Sequence, residues 1–246
     1  MSSLIQSAAW LKAAGLVVGS VLGLVMAGAP DARAQQVLLQ TNVATDTIPP
    51  RTGPNRAWFG HAYLGYAVAA GPSSLGLDYG PGSAETGLGG RLKRRLSGGL
   101  ALCADLRYAY LRYNLDAGTD RPAPFLRNPD ADQHLAYHQL QGEFSLRLNP
   151  GRRRGNVVGR YADLLAYGGP ALGTTYSADL PAPGGGRTEL VAHQPPYMAR
   201  WLGGVGLRLG SNSLALVGRY RLSDALSSPG LPEPPRLTVG FEVGWF

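Results

Sequence analysis

Residues 100–110 read Leu-Ala-Leu-Cys-Ala-Asp-Leu-Arg-Tyr-Ala-Tyr and show the pattern that decides the fold. Every even position is leucine, alanine or tyrosine, whereas the odd positions include Cys103, Asp105 and Arg107. Successive side chains of a β-strand point to opposite faces, so a period of two predicts a strand with one apolar and one polar face. This stretch therefore predicts a strand and not a helix.

The same period recurs along the chain, in segments separated by clusters of Gly, Pro, Asn, Asp and Ser. A content of 35 Gly and 12 Tyr, against one Cys and three Met, also favours strands and turns over helices. In the fifth segment, Gly168-Gly169-Pro170 indicate a kink or an edge. The predicted strands are 57–70, 84–96, 100–113, 134–148, 157–177, 197–209, 214–223 and 236–246.

The connectors between these segments alternate in length. The long ones are 71–83, 114–133, 178–196 and 224–235, and the short ones are 97–99, 149–156 and 210–213. Short turns on one side and long loops on the other are typical of membrane barrels. We therefore predict an all-β fold, an eight-stranded antiparallel up-and-down transmembrane β-barrel over residues 57–246, with both ends on the periplasmic, short-turn side. No pattern is recognisable in the loops 114–133 and 178–196.

The charged face of each strand is predicted to point into the barrel, because an eight-stranded barrel is just wide enough to be filled with side chains. Buried charges are tolerated when they are paired, so we expect a charge network. Its eight bases exceed its five acids, so any water path would favour anions, although a plugged lumen is the favoured interpretation. The predicted interior residues are Glu85, Arg91, Lys93, Asp105, Arg107, Glu143, Arg147, Asp163, Arg200, Arg208, Arg219, Arg221 and Glu242.

The same alternation also fits a soluble β-sandwich with an apolar interior. Aromatic residues gathered near the strand ends favour the barrel, because membrane barrels carry aromatic girdles at both interfaces. Arg94 is a misfit on the apolar face of the second segment, where its position near a short turn would let it snorkel to the interface. The aromatic residues are Trp58, Tyr108, Tyr110, Trp201, Tyr220 and Trp245.

Residues 1–34 have the order of a secretory signal peptide, with Lys12, an apolar run at 13–27 and Ala32-Arg33-Ala34. We predict cleavage after Ala34 and export. The alternative is a membrane-anchoring helix, since the apolar stretch approaches spanning length. Residues 35–56 are polar and contain three prolines, which predicts a periplasmic leader or linker.

The sequence predicts neither a catalytic site nor a cofactor. A single cysteine, Cys103, excludes an intramolecular disulfide and a multi-cysteine zinc site. No phosphate loop, nucleophile elbow or dinucleotide motif follows residue 34. His134 and His138 would lie about 13 Å apart on a strand, too far for one metal ion. The charge of +7 and Arg152-Arg153-Arg154 do not predict a nucleic-acid partner, because no basic face accompanies the triplet.

Residues 57–246 resemble the small outer-membrane barrels of the OmpA membrane-domain and OmpX-like type, by pattern and without an invariant motif. The last segment, 237–246, looks like the C-terminal signal of that family, carried by Phe241, Val243, Trp245 and Phe246. Trp245 follows the apolar alternation and Phe246 does not. The resemblance implies a bacterial outer-membrane location, with outer-membrane lipids and the outer-membrane assembly machinery as partners.

We therefore expect a non-enzymatic outer-membrane barrel whose loops serve envelope integrity or surface interaction, with an extracellular ligand that the sequence does not identify. One alternative is a narrow, anion-biased channel. A remote alternative is an acyl hydrolase of outer-leaflet lipid, since some similar barrels act on acyl chains. Such an enzyme would need His138 together with Ser177 or Ser223 and an acid at the outer rim.

Overall fold

The computed structural model describes residues 52–116, 122–128, 130–150, 157–182, 184–228 and 230–246. The predicted cleavage site at Ala34 and the arginine triplet 152–154 lie outside these residues. Nowhere in the described ranges is there a helix long and apolar enough to cross a membrane. The strands are β1 (Trp58–Ala70), β2 (Ala84–Arg95), β3 (Leu100–Leu115), β4 (Asp132–Leu148), β5 (Arg160–Pro181), β6 (Arg187–His193), β7 (Trp201–Ser211), β8 (Leu214–Arg221) and β9 (Leu237–Trp245).

Eight of these strands close into a barrel. Neighbouring strands pair antiparallel from β1 through β4 to β5. The wall then continues from β5 to β7, from β7 to β8 and from β8 to β9. The last strand returns to the first, with Ala62 opposite Trp245 and Ala70 opposite Leu237. The predicted all-β, eight-stranded antiparallel barrel is confirmed, and the sandwich alternative is wrong. We call the end with the short connectors the turn end and the opposite end the loop end.

The ninth strand, β6, corrects the prediction that 178–196 is a loop without pattern. It pairs with the loop-end half of β5, from Thr175 opposite His193 to Pro181 opposite Arg187. The turn-end half of β5 pairs instead with β7, from Arg160 to Pro170. With 22 residues, β5 is about twice as long as a membrane crossing requires. The backbone N–H and C=O groups in the loop-end half of β5 therefore need another hydrogen-bonding partner, and β6 provides it.

At the predicted kink, Gly168-Gly169-Pro170, the backbone of β5 lies very close to the backbone of β4, and a β-bulge follows. A Cβ on Gly169 would lie 1.8 Å from the Leu140 carbonyl oxygen, so only glycine fits there. The register with β4 then shifts, because Gln139 is opposite Ala171 whereas His138 is opposite Gly173. Such a bulge moves subsequent side chains to the opposite face, and β5 itself remains continuous.

The outer surface of the barrel carries a band of exposed apolar side chains. Phe144 is 73% exposed, Leu164 66% and Leu106 62%, although each is a residue type that normally forms a core. A surface of this kind suits a hydrocarbon surrounding. Other members of the band are Leu64, Leu88, Leu92, Leu102, Leu146, Trp201, Val205, Leu207, Leu209, Leu216, Phe241 and Trp245.

Candidate functional site: the barrel interior and the projecting sheet

The barrel interior contains a central layer of charged side chains, which we call the charged layer. Arg208 of β7, fully buried, lies at its centre. Its guanidinium contacts four carboxylates: Asp163 at 3.0 Å, Glu242 at 2.8 Å, Asp105 at 3.7 Å, and Glu143. These acids come from four different strands, so a single cation links the barrel wall across its width.

Glu242 of β9 is the acid counterpart of Arg208. Its carboxylate accepts from Arg91 at 2.9 Å and from Arg219 at 2.6 Å, in addition to the Arg208 contact. Arg219 also reaches Glu143 at 3.1 Å. Each charge in this group has at least two neighbours of opposite sign, which is the arrangement that offsets the desolvation of buried ions.

Further ion pairs, linked to this group through Asp163 and Glu85, extend the charged layer toward both ends. Arg147 donates two hydrogen bonds to Asp163, at 2.7 and 2.8 Å, and its guanidinium stacks 3.7 Å from the centre of the Tyr161 ring. Arg107 pairs with Glu85 toward the loop end. At the turn end, Lys93 donates to the carbonyl of Pro54. The last residues of the predicted leader thus contact the barrel, and Thr52 forms a bridge with Trp58.

The structure places twelve of the thirteen predicted interior charges inside the barrel. These are Glu85, Arg91, Lys93, Asp105, Arg107, Glu143, Arg147, Asp163, Arg208, Arg219, Arg221 and Glu242, all buried. Arg200 is a correction: it is exposed, because β7 begins only at Trp201 and the strand alternation does not extend to position 200.

Glu233 makes contacts with Arg221 and two loop backbones that the sequence alone did not predict. It lies in the loop between β8 and β9, and its carboxylate accepts from Arg221 at 3.2 Å. It also accepts from the backbone N–H groups of Ala225 and Leu226, each at 3.0 Å. The peptide group of Glu233 bonds to Ser74 in the loop between β1 and β2. With Glu233 included and Arg200 removed, seven bases face six acids, so the predicted excess of three falls to one.

The interior changes character at the loop end, where an apolar cluster replaces the charges. We call it the upper apolar core. Leu135 and Tyr137 of β4 are fully buried there, and the Tyr137 hydroxyl donates to the carbonyl of Ala225 at 2.6 Å. The loops cover it from outside. Its buried members are Ala69, Leu75, Leu77, Leu111, Tyr113, Leu115, Phe125, Leu135, Tyr137, Tyr176, Ala178, Met198, Leu202, Ala225 and Leu226.

The sequence contained a signal for this core. In β3 the inward positions are polar at Asp105 and Arg107 and apolar at Leu111, Tyr113 and Leu115. The apolar residues therefore change face within a single strand. Loop residues belong to the same core, and the partly buried Tyr197 packs against it. Burial, together with the neighbouring Tyr176, raises the pKa of the Tyr197 hydroxyl to about 12. That phenol stays uncharged.

Aromatic side chains gather at the turn end of the barrel. Phe59, Val158, Tyr161 and Ala215 form a second buried cluster. The ring of Phe246 lies 5.2 Å from that of Phe59 and 5.4 Å from that of His61. Both terminal aromatic residues are exposed, Trp245 by 54% on the apolar band and Phe246 by 56% beside Phe59 and His61.

The loop-end halves of β3, β4 and β5 continue past the apolar band. Together with β6 they form what we call the projecting sheet. The outer edge of the band is marked by Tyr108, whose hydroxyl lies 2.5 Å from Nδ1 of His138. Beyond Tyr110 the outer face of β3 carries the polar residues Arg112 and Asn114, and Arg112 donates to Asn114 at 2.8 Å. In β6 almost every residue is exposed. In the described part of the chain, only one of its two long edges pairs with another strand.

The residues proposed for an acyl hydrolase do not come together. Ser177 is in register with His134, four residues from His138, which separates Ser177 from His138 by about 13 Å. The Oγ of Ser223 accepts from the N–H of Gly203 at 3.0 Å. Within the described ranges no group of three or more His, Cys, Asp or Glu could hold a metal ion.

Comparison with known proteins gives structural likenesses only. No family model and no curated protein matches the chain. A crystal structure of Ail, the attachment invasion locus protein of Yersinia pestis, is similar with 11% identity and a TM-score of 0.35, over 76% of this chain and 97% of that one. Ail in complex with the heparin analogue sucrose octasulfate is similar with 13% identity and a TM-score of 0.30, over 75% and 94%. The strand register of this chain itself shows a closed eight-stranded antiparallel barrel.

Proposed function

We propose that the mature chain is a non-enzymatic barrel of the bacterial outer membrane that uses its projecting sheet for interaction at the cell surface. The proposal includes export by the signal peptide, cleavage after Ala34, a periplasmic leader at 35–56, and assembly through the signal at Phe241, Val243, Trp245 and Phe246. Outer-membrane lipids surround the apolar band. In this orientation the turn end faces the periplasm and the loop end faces outward.

The dimensions of the apolar band support this location. Leu100 and Tyr108 of β3 mark its two edges, and eight residues of strand span about 26 Å. With the usual tilt of barrel strands, the band is about 20 Å tall, close to the apolar band of known membrane barrels. The polar face beyond Tyr108 then lies in water.

The single observation that favours surface interaction is the exposed edge of β6. A strand edge offers unpaired N–H and C=O groups that can pair with an extended segment of another protein. Leu190 and Val191 are 44% and 40% exposed on this strand, so side-chain contacts can accompany the backbone pairing. An extracellular protein with an accessible extended segment is therefore the proposed kind of ligand.

The filled interior supports a barrel that does not conduct ions. The charged layer occupies the centre, the upper apolar core lies at the loop end, and the aromatic cluster lies at the turn end. Steady anion-biased openings of the purified protein in a planar bilayer would favour the channel alternative instead.

The location is tested by heat-dependent gel mobility of the purified protein and by its recovery in the outer-membrane fraction. Exposure of β6 is tested with Leu190→Cys, labelled on intact cells with a membrane-impermeant maleimide. The native Cys103 is buried and serves as the background. A protein that stays soluble without detergent, or an introduced thiol that reacts only after lysis, would contradict the proposal.

Surface interaction is tested by the retention of fluorescent serum proteins on intact cells. The double variant Leu190→Lys with Val191→Lys should reduce this retention, because charges on an edge strand oppose pairing. Glu189→Gln on the same strand is the matched control. Equal retention on cells that carry the wild-type protein, the double variant or the control variant would contradict a binding role for the β6 edge.

A further inference from the structure

A groove of about 380 Å³ lies on the outer surface of the barrel near the turn end. Its walls include Leu92 of β2, Leu102 of β3 and Phe144 of β4. Leu92, Ala104 and Phe144 are neighbours in register across the three strands. Because Ala104 is the smallest of the three, its position forms a depression between two larger apolar side chains.

Arg94 lies at the turn-end margin of this groove. In the register it is beside Leu102 on β3 and Trp58 on β1. Its guanidinium is 5.5 Å from the centre of the Trp58 ring, and the residue is exposed on the apolar face. Among the carboxylates that the structure describes, none forms an ion pair with Arg94. A cation on the lipid-facing surface thus has no counter-charge among the described residues at the end of an apolar groove.

We propose that this groove binds an anionic phospholipid of the periplasmic leaflet, with an acyl chain over Ala104 and the phosphate on Arg94. The inference rests on the proposed outer-membrane location, which places the turn end in that leaflet. A guanidinium pairs well with phosphate because its planar donors match two oxygens. The Arg94 guanidinium lies over the Trp58 ring, 5.5 Å from its centre, at the margin of the groove.

Charge complementarity selects the occupant. An acyl chain alone would fill any part of the apolar band, whereas the groove combines an apolar depression with one cation at its end. A zwitterionic headgroup brings its own ammonium close to the phosphate and gains less from Arg94. An anionic glycerol headgroup has no such competing charge, so it is the preferred ligand.

The test uses the full mature chain inserted in nanodiscs and native mass spectrometry with phosphatidylglycerol and phosphatidylcholine of identical acyl chains. The wild-type protein is expected to retain phosphatidylglycerol in preference to phosphatidylcholine. Arg94→Gln should lower this preference about fivefold, since one basic residue near an anionic lipid surface has an effect of that size. Arg160→Gln, an exposed arginine at the turn end of β5 outside the groove, is the matched control.

A second variant separates the apolar part of the site from its charge. Ala104→Phe fills the depression and keeps Arg94, so it should weaken retention of both lipids and leave their ratio unchanged. A wild-type barrel that inserts but shows no preference between the lipids overturns the phospholipid site while the proposed location stands. An equal loss for Arg94→Gln and Arg160→Gln also overturns it. Failure of the wild-type chain to insert would remove the proposed location and the site with it.

Discussion

The two halves of the barrel interior have opposite chemistry, although the same strands build both. Near the turn end, β3 and β4 point Asp105, Arg107 and Glu143 inward, whereas near the loop end they point Leu111 and Leu135 inward. The outer face changes in the opposite sense, from exposed leucines and phenylalanine to arginine, asparagine and histidine. The surroundings explain the difference. Where the outside is apolar, the apolar face turns outward and polar side chains fill the inside, and where the outside is water the usual protein core returns.

Different forces therefore stabilise the two halves of the barrel interior. The charged layer depends on mutual pairing, so the loss of one charge leaves its partners uncompensated. The upper apolar core depends on packing and removal from water, so the loss of one side chain leaves a cavity. The loss of stability caused by a substitution should therefore differ between the two halves, both in its size and in how far it extends through the barrel.

The largest effect is expected for Glu242→Gln. This change leaves Arg91, Arg208 and Arg219 with one fewer counter-charge in the barrel centre, and loss of one partner from a buried ion pair costs about 3–5 kcal/mol. The free energy of unfolding in lipid vesicles, measured with urea, should fall by that amount. Glu189→Gln on β6 is the exposed control. Equal values for both variants would mean that the charged layer does not stabilise the barrel.

A somewhat smaller effect is expected for Leu135→Ala. Leu135 is fully buried in the upper apolar core, and truncation of such a leucine costs about 3 kcal/mol. Hydrogen exchange should increase in the loop-end halves of β3 to β5 and remain slow in the membrane-spanning halves. Leu190→Ala, at an exposed position of β6, should be nearly silent. A uniform increase along whole strands would show that the two halves unfold as one unit.

Glu233→Gln should have a local effect of about 1.5 kcal/mol. The change removes the charge that accepts from Arg221 and from two backbone N–H groups, and hydrogen bonds to charged groups contribute about that much. Limited proteolysis should become faster within residues 222–228. Asp224→Asn, in an exposed ion pair with Arg236, provides the control. Unchanged cleavage would mean that Glu233 does not hold the loops.

The smallest effect is expected for Arg112→Leu on the outer face of the projecting sheet. In water the loss of its hydrogen bond to Asn114 should change stability by about 0.5 kcal/mol or less. If this face lay in hydrocarbon, removal of the charge would instead stabilise the protein by about 2–4 kcal/mol. The sign of the change in unfolding free energy therefore locates the boundary between the two halves.

Much of the barrel follows from local sequence pattern. A period of two and alternating connector lengths predicted eight barrel strands, and no observed strand end lies more than four residues from its predicted position. The parity of the charged positions predicted their burial, because a strand side chain has only two directions. The prediction for Arg200 was wrong because this residue lies one position before β7, where side chains need not alternate between two faces.

The sequence by itself determined the eight barrel strands and the inward direction of twelve charged residues on them, since these depend on short-range alternation. The tertiary structure alone decided the pairing of those charges, the Glu233 contacts, the upper apolar core and the addition of β6 to β5. Each of these depends on residues far apart in the chain, brought together by the barrel register. Local pattern carries no information on such contacts, because it fixes the face of a side chain and not its neighbours across the barrel.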